Sequence, residues 1–556
     1  MPNMHNILKI KHINAFAFIL LAVFFLPIAN ADLLYTWQEY GLFMSTSSFM
    51  AETVSNYGLW AWIGSYLTQF FYYPWLGSGM LIAMWIISYY LIASAFKMQD
   101  EWSPIALIPF VSLLISVVQV GYWIYYINTP GYCFSFSACY LIAALITWGV
   151  SKIGKGFIKR RLTIAAVFIG ILFTIGYRIP SFSRSEYSDF SLCIPFIVAA
   201  ASPVFLAIPY EKVKLSMPLR TGIMSGVFAL MCMATAMLNF SNSNFHSEMK
   251  MYKALDESRY EDVLKEAQSI KGEPSNMMVV YKNIALLHTG KLTDIFKVNN
   301  CGIQPAANDS LNVRIAHISG EMVYYQFGQI NFAYRWGVEN GVKRGMTNTR
   351  LKMLFRCAVF NKEFDLAHKY LTLLKKTTFH KDWAKEHENW IMRGSDFFSS
   401  VEYENIYPLL DEDINYLDDD QSFCEKWILD HFSDLVHPTS SKLEELIMCT
   451  ALWTEDEYSF LVHFYDYYNR HKNEGIPLVY QEAVIMLASN EDSPITLGKD
   501  FRFDPIIVER FNNFAAEYQS YTQKGMEDKE IGKKLKPMFG DTYWWYYYFY
   551  TDFMIY

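Results

Sequence analysis

The carboxylates best placed to do chemistry share one segment. Residues 32–74 hold Asp32, Glu39 and Glu52 and no Lys or Arg, between one long apolar run and the next. Elsewhere the spacing excludes familiar sites. His380 and His387 stand two turns apart, with Asp382 and Glu386 between them. The His-Glu-x-x-His order of a zinc protease is missing, so the pair reads as a structural helix face. Asp411-Glu412-Asp413 starts like a calcium loop, but Tyr416 and Ser422 occupy the positions that need Gly and Glu. With Asp418, Asp419 and Asp420 it reads as a solvated acidic loop. The chain has no phosphate-binding or dinucleotide-binding glycine loop, no nucleophile elbow and no Cys/His dyad.

The eight cysteines include no CxxC pair, which removes zinc-ribbon and thioredoxin-like chemistry. Cys133, Cys139, Cys193 and Cys232 lie in or near apolar runs and read as small hydrophobes. Cys301, Cys357, Cys424 and Cys449 lie in the polar half, where free thiols and one or two disulfides both stay open. A net charge of −8 and the lack of a basic, aromatic-interleaved stripe argue against nucleic acid as a partner.

The elements that position these residues fall into two kinds. Composition is 52% hydrophobic, 17% aromatic and 18% charged, an average over two unlike halves. A membrane helix needs about 20 apolar residues. Runs of that kind lie at 13–31, 75–96, 103–121, 133–150, 162–178, 190–209 and 221–240, and none follows. Lys9, Lys11, Lys97, the cluster Lys152 to Arg161, and Lys212, Lys214 and Arg220 all fall on one side of such a seven-span layout. By the positive-inside rule that side is cytoplasmic. Residues 1–31 read as a first transmembrane helix or a signal peptide ending at Ala29-Asn30-Ala31, and sidedness is the same either way. The interiors of the runs lack ionisable residues, which argues against an ion pathway and puts any chemistry at the membrane surface. Within 32–74, Leu59, Ile63, Tyr66, Leu67 and Phe70 recur at helical spacing and predict an amphipathic helix in the outer interface. Pro74 suits the start of the next helix.

From about 246 the pattern turns helical and polar-faced. Gly328-Gln329-Ile330-Asn331-Phe332-Ala333 and Asn361-Lys362-Glu363-Phe364-Asp365-Leu366-Ala367 match at a 34-residue period, Ala333 to Ala367. Looser copies start at Gly290 and Ser258. This period resembles tetratricopeptide repeats, whose helix pairs stack into a solenoid and bind peptides or proteins. The aromatic stretch Tyr543 to Tyr550 reads as a cap on that array. The fold class expected is therefore all-α: a polytopic bundle of about seven spans (first helix 1–31, loop 32–74, remaining spans 75–240), then a tetratricopeptide-like α-solenoid over 246–556.

The run Gln69 to Trp75 and the ending Thr542-Tyr543-Trp544 resemble a bacterial family of polytopic proteins with a domain of unknown function. The layout of the first 240 residues also resembles the GT-C membrane glycosyltransferases, with a long first external loop and an acidic residue just after the first span. That likeness implies a lipid-linked sugar donor. Asp32 or Glu39 would then be the catalytic base or hold a divalent metal, and Arg178 or Arg184 would bind the donor phosphate. The loop departs from the pattern, because it has no Asp-x-Asp and no adjacent acidic pair. Two functions follow. The first is a scaffold in the inner membrane of a Gram-negative cell, N-terminus cytoplasmic, whose periplasmic repeats bind a protein partner without a cofactor. The second is a transferase acting on a lipid-linked glycan.

Overall fold

The computed structural model describes residues 4–127, 129–153, 161–176, 190–210, 216–297, 315–392, 395–410, 438–490, 495, 497 and 499–550. Over these residues the chain is all-α, apart from isolated bridge residues at Ser275, Leu497 and Phe501. Helix α1 (Met4–Val23) ends in a widened turn, Phe24–Ile28, where Pro27 has no N–H to give and the Ala29 amide reaches back 2.9 Å to the Phe24 carbonyl. Asn30 closes this end, its side-chain amide donating to the Phe25 carbonyl (2.7 Å) and to Asn239 (3.0 Å). Next come α2 (Ala31–Glu39), α3 (Ser47–Tyr57), α4 (Leu59–Thr68) and α5 (Pro74–Ala95), the last with Pro74 in its first turn as expected.

A 3₁₀ segment, Asp100–Leu107, runs straight into α6 (Ile108–Val118). Helices α7 (Tyr132–Ile153), α8 (Arg161–Gly176), α9 (Ile194–Leu206) and α10 (Met217–Leu238) follow. Five stretches are long and apolar enough to cross a bilayer: Lys11–Ile28, Pro74–Ala95, Asp100–Val118, Tyr132–Lys152 and Met217–Leu238. They coincide with five of the seven apolar runs. The other two form shorter helices among the described residues. Helix α8 has 16 residues, a rise of about 24 Å against a hydrocarbon core of about 30 Å, and α9 has 13.

Several polar groups among these helices are bonded within or between helices, whereas Ser78, Thr147 and Gln119 Nε2 are buried without a partner among the described residues. Ser88 and Thr235 donate to carbonyls one turn back, Trp85 Nε1 to Ser137 (2.9 Å), and Tyr140 and Ser202 bond each other (2.9 Å). Helix α4 packs on α7 through its small face of Ala61, Gly64 and Ser65. A Cβ on Gly64 would sit 2.2 Å from Ser135 Oγ and 2.7 Å from the Gly131 carbonyl, so only glycine allows the approach. Leu59 and Tyr66, from the apolar stripe seen in the sequence, face outward.

The second half is a run of antiparallel helices: α11 (Ser243–Asp256), α12 (Tyr260–Ser269), α13 (Asn276–His288), α14 (Ile315–Gln326), α15 (Ile330–Arg344), α16 (Asn348–Phe360) and α17 (Phe364–Leu374). One turn recurs in it. Ser258, Gly290, Gly328, Lys362 and Glu455 all take left-handed φ, between 53° and 79°. After each, the next amide reaches back to a carbonyl five residues earlier, from Arg259, Lys291, Gln329, Glu363 and Asp456 at 2.8–2.9 Å. This is the Schellman arrangement that satisfies the orphan carbonyls of a helix end. Four of the five lie at the junctions the repeat pattern marks, and the fifth lies beyond where that pattern is legible. One apolar core runs from α1 to the C-terminal aromatics, and a second, smaller cluster joins α16, α17 and Trp390. Trp544 and Trp545 are buried at the end of the first, with Trp545 Nε1 bonded to the Gly532 carbonyl (3.0 Å) and Tyr543 Oη to the Leu452 carbonyl (3.0 Å).

Candidate functional site

Helix α2 is the hinge of the site because it touches both halves. Its C-terminal end is buried against α16, a helix with an unusual burden. Arg350, Lys352 and Arg356 lie within an apolar sequence, and all three are buried. A buried cation needs a paired anion, and each finds one from a different element. Arg350 Nε meets Glu321 Oε1 at 2.8 Å. Lys352 Nζ meets Glu39 Oε2 at 3.2 Å. Arg356 lies 2.6 Å from Asp256 and 2.8 Å from Glu402.

Glu39 is the most fully answered of these acids. Besides Lys352, it accepts from Tyr35 Oη (3.1 Å) and Thr349 Oγ1 (3.2 Å), and His380 Nε2 lies 3.7 Å away. Burial pushes its pKa up, but the Lys352 ammonium beside it outweighs that and holds the carboxyl below its usual range. Burial pushes His380 down to about 4, so its ring is neutral near pH 7. Gln38 bonds the His380 ring, and Asn348 donates to the Gln38 carbonyl at 3.0 Å. Phe379, beside His380, stacks on Tyr72 (centroids 5.1 Å apart). His387 stacks on Trp383 at 3.8 Å, and Lys352 and Arg356 lie within 6 Å of the Trp383 ring. The two histidines therefore serve different neighbours, and His380 belongs to the Glu39 cluster.

The N-terminal end of α2 is open. Asp32 Oδ2 lies 2.9 Å from His246 Nδ1 of α11, both side chains about one-fifth exposed. Asp32, Tyr35 and Glu39 line one wall of a cavity of about 340 Å³. Other walls include Lys250, Lys253 and Asp256 of α11, Thr349 of α16, Tyr72 and Tyr125. Ala31 and Pro74 are also in the wall. Both flank stretches long enough to span a membrane, so the cavity sits at their ends.

The structure thus brings Asp32 and Glu39 to one cavity from the same helix. Arg178 and Arg184 lie outside the described residues, as do Cys301, Cys424 and the 411–420 acidic loop. Glu52 lines a separate cavity of about 530 Å³ with Trp37, Tyr57 and Arg344. Cys133, Cys139, Cys193, Cys232, Cys357 and Cys449 are free thiols. Among the described residues no three His, Cys, Asp or Glu side chains gather as a metal site. Asp32 and His246 alone would offer two ligands, because Glu39 is spent on Lys352.

A family model matches the chain over residues 6–550. The chain belongs to the family of unknown function DUF6057. No curated protein and no solved structure matches it. In this DUF6057 member, sequence reasoning missed His246, Lys352 and the role of His380. Each stands more than 200 residues from its acidic partner on α2, and helical periodicity carries no signal across that distance. One local signal was present: three cations inside the otherwise apolar α16 mark a helix that must bury carboxylates with them.

Proposed function

We propose that this protein is a membrane-embedded scaffold of the bacterial envelope, whose helical repeats recruit a protein partner to the membrane surface. In this reading the apolar half lies in the inner membrane of a Gram-negative cell with the N-terminus in the cytoplasm. The shorter α8 and α9 complete a seven-span bundle, and the repeats form a tetratricopeptide-like solenoid in the periplasm. One observation carries the reading: α2, the segment leaving the first span, is locked onto the repeats by Glu39, Gln38 and their partners on α16 and beside α18 (Lys381–Glu386). A rigid mount is what a recruiting platform needs, and a carboxylate committed to four neighbours is poorly suited to accept a substrate proton. The recurrent left-handed turn supports the repeat assignment.

A second reading is favoured by a specific pair. Asp32, oriented by His246 on the cavity wall, has the arrangement of a general base held by its neighbour. It fits a GT-C-like transfer from a lipid-linked glycan, with Asp32 and not Glu39 as the carboxylate. A deletion strain separates the two. A scaffold is rescued by Asp32→Asn at wild-type membrane levels, with surface glycans unchanged throughout. A transferase loses its glycan product with Asp32→Asn although the protein accumulates normally.

A further inference from the structure

The charges around the 340 Å³ cavity are not equally free. Glu39 is answered by Lys352 and Asp256 by Arg356, and Asp32 is hydrogen-bonded to His246. Lys250 lies on a wall with half its side chain exposed and Glu266 at 3.5 Å. Lys253 is different. Its ammonium sits 3.7 Å above the Tyr35 ring, half-buried, with no carboxylate beside it among the described residues. Two further donors line the same space. Tyr125 is buried (8% exposed), its ring edge-on to Tyr40, and Tyr72 stacks on Phe379. Neither hydroxyl has a hydrogen-bond partner among the described residues. An ammonium and two phenol hydroxyls facing one cavity are donors awaiting an acceptor that carries negative charge.

The position of the cavity narrows the ligand. Within three residues of the wall residues Ala31 and Pro74, the apolar side chains of Ile28, Trp75 and Leu76 are 58%, 62% and 48% exposed. All three belong to the two spanning stretches whose ends meet the cavity wall. A polar pocket of donors above an exposed apolar track suits a molecule with a charged head and an apolar tail. We propose that this cavity binds the phosphate head group of a membrane amphiphile, with Lys253, Tyr72 and Tyr125 donating to the phosphate oxygens. The tail rests on the membrane placement proposed above, whereas the phosphate rests only on the donor set.

The full chain is purified in detergent, exchanged with dioleoyl phosphatidylglycerol, and weighed by native mass spectrometry as lipid is stripped. Wild type retains one tightly held lipid. Lys253→Gln and the Tyr72→Phe/Tyr125→Phe double variant lose it at least tenfold more readily. Lys253→Arg keeps the charge and retains the lipid, which separates a lost contact from a lost fold. Lys265→Gln, exposed on α12, behaves as wild type. Inorganic phosphate is the second probe. If it displaces the lipid, and its own binding needs Lys253, the phosphate is the recognised group and a free phosphate can enter. If it has no effect, the tail contributes and the ligand is a lipid. Equal retention by wild type and Lys253→Gln, or no retained lipid in wild type, overturns the proposal.

Discussion

Asp32 and Glu39 are carboxylates two turns apart on the same short helix, yet they live in opposite surroundings. Glu39 also lines the cavity but is buried where α2 meets α16, with a lysine, a tyrosine, a threonine and a histidine around it. Asp32 faces a cavity and has one histidine partner. Residue type therefore says little about role here, and the neighbours that decide it arrive from α11 and α16. One end of α2 is a mount and the other is a wall of a binding space.

That contrast can be broken by substitution. The largest effect belongs to Lys352→Met, which leaves Glu39 buried without its cation. Breaking a buried pair from one side costs about 3–5 kcal/mol, and we expect loss of folded protein from the membrane or a collapse in its apparent unfolding temperature in detergent. Restoring neutrality with Glu39→Gln in the same chain recovers a large part of that loss, measured as a double-mutant cycle.

The contrast also has a pH dependence. Glu39 is held below its usual range, so its stabilisation is present at neutral pH and lost as pH falls through its folded value. Glu248, on α11, behaves in the opposite sense. Burial pushes it up to about 7, although Ser275 and Tyr122 bond its carboxyl. Its folded state holds a proton that the unfolded chain gives up, so stability is full below the ordinary carboxylate range and falls as pH rises through about 7. Glu248→Gln should flatten the neutral limb of a stability profile, and Glu39→Gln the acid limb.

Smaller effects sharpen the picture. Asp32→Asn removes a partly exposed pair and should cost no more than about 1 kcal/mol, read as a nearly unchanged unfolding temperature. Lys362→Gly should raise stability by up to about 1 kcal/mol, because the residue sits at φ 61°, where a side chain is strained and glycine is not. The same substitution at exposed Lys265, inside α12, should destabilise by a similar amount.

The fold was legible where the signal is local. Apolar length marked the five long stretches, Pro74 marked a helix start, and the 34-residue period marked the left-handed turns around Gly328 and Lys362. The apolar stripe of 59–70 was read correctly as a helix, but the face that packs on α7 is the small-residue one, Ala61, Gly64 and Ser65, which composition alone does not single out. The candidate site was half legible. Asp32 and Glu39 stood out because their loop lacks basic residues. Their partners stood out less, since His246 and His380 look like ordinary polar positions until the chain has folded, and the cations of α16 show that carboxylates are needed but not which ones. The turn at Glu455 escaped because its residues keep the geometry of the repeat and not its sequence.

The most direct test compares two isosteric changes on α2, Asp32→Asn and Glu39→Gln, in the full chain purified in detergent, by apparent unfolding temperature. If α2 is a mount at one end and a cavity wall at the other, Glu39→Gln lowers that temperature strongly and Asp32→Asn leaves it within a degree or two of wild type. Equal destabilisation by both, or a larger effect from Asp32→Asn, would contradict the account.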